Sequence, residues 1–328
     1  MPLAIMETFA GREIGRVPFW EVWYGMIGLS ERLLGTAGDK PEDQCRLAEI
    51  LGWDVIHAGG IGINAPSGRW SVATDGTSHY VQSGLAALEG LDDRPLPDHS
   101  HTLENVTRAA TVAHEHGLAA VLYVPWCFHV IGVAIGLEAL AYAVYDNRQL
   151  VHDAFEWVEQ RTRTGIQEVA IPSGVDFVLF DGDCAFKSGL MVRPDIFREL
   201  VFDRTAKTVG LLRDAGIPYA LHSDGKLDDL IPMLIELGFA AVHGVEAAAN
   251  DLGDIKARFG RDITLIGNMD VVALTRSTVD EVREMTRAMA RTGAPGGRYV
   301  AACNTSPLDY IPQDNYLAFC EEIREFRP

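Results

Sequence analysis

Residues 218–238 read PYALHSDGKLDDLIPMLIELG and contain the two kinds of element that decide the fold. Pro218–His222 is a short apolar run typical of a buried strand, and Leu227–Leu237 has the pattern of a helix that ends at Gly238. Glycine commonly follows a helix because it adopts left-handed backbone conformations without a steric penalty. The stretch therefore predicts one strand–helix unit of an α/β protein.

The same unit recurs along the chain. Eight candidate strands occur, at Phe19–Tyr24, Asp54–Ala58, Ala119–Val124, Asp176–Phe180, Pro218–His222, Ala241–Glu246, Ile263–Gly267 and Arg298–Cys303. Helical patterns occur at Pro41–Leu51, Thr102–His116, Pro194–Ala215, Leu227–Leu237, Leu252–Phe259 and Thr278–Arg291. Continuously apolar strands are typical of parallel sheets covered on both faces. We therefore predict a (β/α)8 TIM barrel; the alternative, an open doubly wound sheet, lacks its Gly-x-Gly-x-x-Gly fingerprint after the first strand.

The length of 328 residues fits one barrel domain spanning residues 1–328. The segment Gly59–His101 is long, polar and rich in glycine and proline, and it follows the second predicted strand. Long segments of this kind often cover binding sites, so we predict a lid or insertion over the barrel mouth.

Composition limits the classes of partner. The chain has 46 acidic and 28 basic residues, a net charge of −18, which disfavours nucleic acid and anionic membranes. Its five cysteines are scattered and odd in number, as in reduced intracellular proteins. Neither a signal peptide nor an uncharged apolar stretch of ~20 residues is evident, so we predict a cytoplasmic protein.

Function in barrels lies at the carboxyl ends of the strands and in the loops that follow. The candidates there are Glu21, Trp23, Tyr24, His57, Trp126, Asp181, Asp183, His222, Asp224, Glu246, Asn268, Asp270 and Cys303. This set is rich in acids and metal ligands, and it predicts that the functional site lies at this end of the barrel.

A metal centre is the first candidate site. His222 and Asp224 lie two residues apart, so in extended backbone both face the same side, and Cys303 ends another predicted strand. Imidazole, carboxylate and thiolate are ligands of zinc. The alternative is that His222 is a hydrogen-bonded barrel histidine, Asp224 a helix N-cap and Cys303 a small buried side chain.

Acids at other strand ends are candidates for proton transfer. Asp181 and Asp183 are predicted to act as a general acid/base pair or to bind substrate hydroxyls or a cation. Glu21 lies in an aromatic run and is predicted to point into the barrel mouth. The alternatives are turn-forming loop acids for the aspartates, and buried ion pairs with arginine for Glu21 and Glu246.

Several segments of the second half of the chain, in this order and spacing, carry a family resemblance. They are Phe180–Asp183, Pro194–Phe197, His222–Gly225, Leu237–Phe239, Ile266–Asp270 and Pro312–Asn315. These segments resemble the uroporphyrinogen decarboxylase superfamily, and Arg16–Trp20 and Leu51–Asp54 agree with it more loosely. The fold that this resemblance implies is a (β/α)8 barrel, in agreement with the strand count.

Two departures separate the chain from the decarboxylases of this superfamily. The resemblance implies an arginine-rich segment near the N-terminus that holds substrate carboxylates, but residues 19–26 contain no arginine and one acid, Glu21. It also implies an essential aspartate after the second strand, but residues 56–62 contain no acid. A porphyrinogen carries many carboxylates, so an acid in place of arginines disfavours decarboxylation of that substrate.

The resemblance to the methyltransferase branch implies zinc held by an H-x-C motif and a late cysteine. His222 and Cys303 stand near those positions, whereas Asp224 replaces the first cysteine, and Asp224 or Glu246 is expected to complete the ligand set. In this branch zinc activates a thiolate acceptor or acts as a Lewis acid on the oxygen of a methyl donor. The oxygen-containing ligand set and nearby aromatic residues favour the second use.

The resemblance therefore implies a zinc-dependent methyltransferase that moves a methyl group between a small, methoxylated aromatic substrate and a corrinoid. The chain has no D-x-H-x-x-G run, so the corrinoid is expected on a separate protein. The catalytic candidates are Asp181, Asp183 and Glu21, and the substrate-binding candidates are Trp23, Tyr24, His57, Trp126 and Asn268. The alternatives are a metal-independent decarboxylase and a non-catalytic binding barrel.

Overall fold

A computed structural model describes residues 3–66, 69–72, 78–81 and 84–328; the predicted insertion falls partly outside these residues. The strands are β1 (Val55–Gly60), β2 (Arg69–Val72), β3 (Ser78–Val81), β4 (Ala119–Pro125), β5 (Phe177–Asp181), β6 (Ala185–Phe186), β7 (Gly189–Leu190), β8 (Tyr219–His222), β9 (Ala241–His243), β10 (Thr264–Ile266) and β11 (Tyr299–Val300). The central sheet has seven parallel strands in the order β1-β4-β5-β8-β9-β10-β11, while β2–β3 and β6–β7 are separate hairpins.

Helices surround this sheet. They are α1 (Ala4–Phe9), α2 (Ile27–Leu34), α3 (Pro41–Leu51), α4 (Ser100–Glu115), α5 (Cys127–Ile135), α6 (Leu137–Asp146), α7 (Arg148–Gly165), α8 (Ile171–Ser173), α9 (Pro194–Phe197), α10 (Asp203–Asp214), α11 (Leu230–Leu237), α12 (Leu252–Phe259), α13 (Val271–Arg276), α14 (Val279–Gly293) and α15 (Gln313–Glu325). The predicted helix at residues 194–215 is present with continuous helical backbone, and a π-helical turn at Arg198–Phe202 joins α9 to α10. Gly238 ends α11 with a φ of 82°, as the sequence predicted.

The first predicted strand does not form a regular strand. Its backbone instead makes single contacts on two sides: Ala301 N–H donates to Pro18 O at 2.8 Å and Trp20 N–H donates to Ala301 O at 3.1 Å. Asp54 N–H, just before β1, donates to Phe19 O at 2.8 Å. The segment thus lies against both edges of the seven-stranded sheet, and its completion as an eighth barrel strand stays a prediction.

Side chains of the central sheet divide into two sets by the alternation of the strands. One set packs together on the inner face and comprises Val55, Ala119, Val121, Phe177, Leu179, Ala220, Ala241, Ile266, Val300 and Ala302. Their neighbours along each strand belong to the larger apolar cluster with the helices, as Leu221 and Ala301 do. A residue's parity within its strand therefore decides whether it reaches the inner face.

Among the described residues, no single helix is long and apolar enough to cross a membrane. The pair α5 and α6 passes that test of length and composition only when taken together, and it bends by 107° between the two helices. Buried core helices pass the same test, and most residues of α5 are buried here.

Candidate functional site

The carboxyl ends of three neighbouring strands align at one edge of the sheet. Asp181 pairs in register with His222, and His222 pairs with His243. Each is the last residue of its strand and has inner-face parity, so the three side chains converge. The loops that follow β5 and β8 add Asp183 and Asp224 to the same place.

Asp183, His222 and Asp224 form a group that fits a metal ion. One ligand atom from each lies within 4.8 Å of the others. Nε2 of His222 is 3.3 Å from Oδ1 of Asp183 and 3.9 Å from Oδ1 of Asp224. Ligands on a tetrahedral zinc ion lie roughly 3.4 Å apart, given metal–ligand bonds of about 2.1 Å. The two distances from Nε2 of His222 are near this value.

The hydrogen bonding of the group also fits a cation. Oδ1 of Asp224 is buried and has no hydrogen-bond partner among the described residues. Burial raises the pKa of Asp224, against the charge of His222. Burial acts in the same direction on Asp183, but the hydrogen bond and charge of His222 outweigh it and lower the pKa of Asp183 to about 2. A buried carboxylate oxygen without a donor is costly unless a cation pairs with it.

His243 contacts the group through His222, and it was not among the residues predicted from the sequence. Its Nδ1 lies 2.7 Å from Nδ1 of His222, and its Nε2 lies 3.1 Å from the carbonyl oxygen of Cys303. His243 lies inside the predicted strand at residues 241–246, but only the last residue of that strand, Glu246, was predicted to be functional. A strand ending at residue 243 would have placed two histidines side by side at the carboxyl edge.

His129 is a second residue that the sequence analysis missed. It lies in the first turn of α5, where its Nε2 is 3.9 Å from Oδ2 of Asp181 and its Nδ1 is 3.9 Å from Oδ2 of Asp183. Its position in the sequence could have identified it, because His129 lies three residues after Trp126, in the first turn of the helix that follows β4. His129 therefore lies beside both predicted acids, at a distance longer than a hydrogen bond from each.

The side chains of Cys303 and Glu21 lie away from this group, because both residues occupy positions whose side chains point to the outer face of the sheet. The thiol of Cys303 belongs to the apolar cluster beneath the helices, and its backbone N–H donates to Oε2 of Glu21 at 3.0 Å. Oε1 of Glu21 accepts from the hydroxyl of Tyr316 at 3.2 Å. Burial raises the pKa of Glu21 to about 7 against these hydrogen bonds. The partners of Glu21 are thus a peptide N–H and a phenol, in place of the arginine of the alternative interpretation.

Glu246 lies beside the group but is not a member of it. Its Oε2 accepts from the N–H of Gly225 at 3.2 Å, and its Oε1 is 3.9 Å from Nζ of Lys187 on the β6–β7 hairpin. Its negative charge is one of the causes that raise the pKa of Asp224. Glu246 therefore connects the loop after β8 with the hairpin.

Aromatic side chains form the wall next to the group. The ring of Trp23 lies 4.5 Å from that of His222, nearly perpendicular to it, and stacks 5.5 Å from Tyr123. Nε2 of His57 is 2.9 Å from the hydroxyl of Tyr123, and burial lowers the pKa of His57 to about 4. His57 also lines, with Glu21 and Tyr24, a cavity of about 540 Å³. Tyr123 and Trp23 thus lie between His222 and the side chain of His57.

The remaining predicted substrate residues differ in accessibility. Trp126 is fully buried, and its Nε1 donates to Oγ1 of Thr205 at 2.8 Å, so it packs beneath the site. Asn268 is half-buried in the segment after β10. A cavity of about 560 Å³ lies near the amino ends of the strands, away from these residues.

Gly182, between the two acids of the β5 loop, has no room for a side chain. A Cβ there would overlap the Trp126 ring and lie 2.9 Å from Cδ1 of Leu221. Gly182→Ala is expected to lower the free energy of unfolding by about 1–3 kcal/mol, the usual cost of overpacking. Urea unfolding measures this, with Gly62→Ala as control, because a Cβ at Gly62 meets no atom within 4 Å. Equal stability of the two variants would contradict the tight packing of this loop.

The comparisons with known proteins establish the family. A family model for uroporphyrinogen decarboxylase (URO-D) matches residues 56–326. Because the match covers most of the chain, the protein belongs to the uroporphyrinogen decarboxylase family. A search of curated protein sequences finds no significant match.

Solved structures extend the likeness of the fold to almost the whole chain. A methyltransferase from Methanosarcina mazei has a TM-score of 0.73 at 16% sequence identity, covering 98% of this chain and 97% of that chain. A family 5 xyloglucanase from Paenibacillus pabuli reaches a TM-score of 0.49 at 11% identity, covering 94% and 99%. The first supports the predicted α/β fold, whereas the second is too distant to bear on fold or site.

Proposed function

We propose that this protein is a metal-dependent methyltransferase built on a (β/α)8 barrel that the segment before β1 completes. It moves a methyl group between a small substrate, of the methoxylated aromatic class, and the corrinoid of a separate protein. The observation that carries the proposal is the group of Asp183, His222 and Asp224 at the carboxyl edge of the sheet. The similarity in fold to a methyltransferase supports the same reaction class.

Zinc is the metal we propose for this group. Three protein ligands with a further position left for substrate are typical of catalytic zinc sites, and the donors here are one nitrogen and two oxygens. A bound zinc ion supplies Lewis acidity toward the oxygen from which the methyl group departs. We propose Asp183 as a ligand in place of Cys303, because the Cys303 side chain lies on the outer face.

The other residues of the site bind substrate or handle protons. We propose that His129 and Asp181, with 3.9 Å between their nearest atoms, deliver a proton to the departing oxygen. The ring of Trp23, next to His222, offers a flat apolar surface for an aromatic substrate. Glu246 holds the loop after β8 through its hydrogen bond from Gly225.

The charge of this edge disfavours decarboxylation of a porphyrinogen. Asp181, Asp183, Asp224 and Glu246 all lie here, and their mutual repulsion contributes to the raised pKa of Asp224. A substrate with many carboxylates would meet further repulsion from these acids. A neutral ether substrate does not meet this repulsion.

Metal content and methyl transfer test the proposal together. We expect purified protein to bind about one zinc ion and to transfer methyl from 2-methoxyphenol to cob(I)alamin, producing methylcobalamin and catechol. The absorption spectrum of the cobalamin follows the reaction. Undiminished transfer by chelator-stripped protein would contradict the role of the metal. Zinc-loaded protein that leaves 2-methoxyphenol unchanged would contradict the substrate class.

A further inference from the structure

His243 is buried, with 1% of its surface exposed, and both of its ring nitrogens have a partner. Its Nε2 lies 3.1 Å from the carbonyl oxygen of Cys303. A carbonyl oxygen can only accept, so this nitrogen carries a proton and donates it. In a neutral imidazole the other nitrogen, Nδ1, is then an acceptor.

The partner of that acceptor is His222. The two Nδ1 atoms are 2.7 Å apart, which is a hydrogen-bond distance, so one must donate to the other. Since Nδ1 of His243 accepts, the donor is Nδ1 of His222. The carbonyl oxygen of Cys303 therefore fixes the direction of both hydrogen bonds: His222 donates to His243, and His243 donates to that carbonyl.

The consequence concerns the other nitrogen of His222. With Nδ1 committed to His243, Nε2 is the nitrogen that faces Oδ1 of Asp183 at 3.3 Å and Oδ1 of Asp224 at 3.9 Å. We propose that His243 is a positioning residue: it holds the His222 ring so that Nε2 presents its lone pair to a metal ion between the two carboxylates. This inference rests on the proposed function, because it concerns the same metal group.

This role also explains why Cys303 matters without being a ligand. Its carbonyl oxygen orients His243, while its N–H donates to Glu21 on the opposite side of the backbone. The edge-on contact of Trp23 holds the His222 ring from a different direction. Partners that fix a ligand histidine in this way typically change metal affinity by about 10- to 100-fold when removed.

Two variants of His243 separate orientation from packing. His243→Phe keeps a ring in the space but has no acceptor for Nδ1 of His222. His243→Asn is smaller, but its Oδ1 stands where Nδ1 was and can accept that hydrogen bond. We expect His243→Phe to bind Zn²⁺ about 10- to 100-fold more weakly than the unaltered protein, and His243→Asn to recover most of the loss. Competition with a chromophoric chelator measures the affinities, and circular dichroism checks that both variants fold.

A second measurement requires no metal. Long-range ¹H–¹⁵N NMR spectra of the metal-free protein should show His243 protonated at Nε2 and unprotonated at Nδ1. The opposite tautomer would overturn the inference, whatever the metal does. Equal zinc affinity of His243→Phe and the unaltered protein would also overturn it, yet leave the proposed function intact. If the unaltered protein binds no zinc, the proposed function fails, and the NMR result alone decides the orientation of His222.

Discussion

Replacing Asp183 by asparagine is expected to weaken zinc binding by more than about 100-fold, the largest effect that we predict for any single change. A direct ligand should matter more than the supporting partners of a ligand, whose loss costs about 10- to 100-fold. The substitution preserves shape, and the amide oxygen can still accept from the N–H of Asp224, which donates to Oδ1 of Asp183 at 3.0 Å. It removes the negative charge that an ion between His222 and Asp224 requires. Competition with a chromophoric chelator measures the affinity.

The matched control is Asp181→Asn, at the last residue of β5 and two residues before Asp183. It removes the same charge from a carboxylate that is 40% exposed and contacts His129 but does not belong to the metal group. Charges this exposed contribute about 1 kcal/mol or less, so we expect at most about a fivefold loss. Equal losses in the two aspartate variants would show that only the overall charge of the site matters.

Cys303→Ala provides the test between the two ligand sets. The sequence analysis placed the Cys303 thiol on the metal with His222, whereas the structure places it on the outer face and gives Asp183 the nearer position. We therefore expect Cys303→Ala to keep zinc affinity within about a factor of five, since its backbone carbonyl remains. Loss of zinc from Cys303→Ala with retention in Asp183→Asn would restore the ligand set predicted from the sequence.

The sequence was sufficient for most of the sheet. Seven of the eight predicted strands overlap the strands of the central sheet, because buried parallel strands are continuously apolar and glycine ends the helices between them. The eighth, in the aromatic run at residues 19–24, forms only isolated backbone contacts. The apolar character of residues 19–24 indicates that the segment is buried. It does not indicate whether the segment forms continuous backbone hydrogen bonds with a neighbouring strand.

The site was harder to predict. Knowing which residue ends a strand is not enough, because the inward–outward alternation along the strand decides which face of the sheet its side chain lies on. His222 and Cys303 both end predicted strands, but His222 follows the inner-face Ala220 while Cys303 follows the outer-face Ala301. A shift by one residue reverses the face of a side chain, and sequence alone does not fix the register that closely. His243 and His129 were missed for a related reason: their roles come from the contacts of neighbouring elements, which no local motif records.

Glu21→Gln is expected to stabilise the protein at alkaline pH, with an effect that grows across a defined pH range. Glu21 is 2% exposed, and burial raises its pKa to about 7 from an ordinary value near 4.5. The folded protein therefore retains a proton that the unfolded chain has lost between these two pH values. Stability falls as pH rises through this window and is level above it. The shift corresponds to about 3 kcal/mol, at 1.36 kcal/mol for each pKa unit.

Glutamine resembles the protonated acid and cannot ionise, so the variant escapes this loss. Its amide can accept from the N–H of Cys303 and can donate to the rotatable hydroxyl of Tyr316, the two groups that contact Glu21. Because burial also raises the pKa of Cys303, Cys320, Tyr316 and Tyr24, these neighbours stay neutral through the window. Urea unfolding at pH 5 and pH 8 should show a small difference between variant and unaltered protein at pH 5 and about 3 kcal/mol at pH 8.

The control for this experiment is Glu322→Gln, which should change the free energy of unfolding at pH 8 in the opposite direction. Glu322 is also largely buried, but its ion pairs with Arg287 and Arg283 outweigh burial and lower its pKa. Its contribution to stability is therefore present at neutral pH and lost as pH falls. Glu322→Gln should destabilise the protein at pH 8, and the loss should shrink on acidification. If Glu21→Gln instead destabilised the protein at pH 8, the Glu21 carboxylate would have a cationic partner in solution, and its assignment to a neutral, outer-face hydrogen-bond network would be wrong.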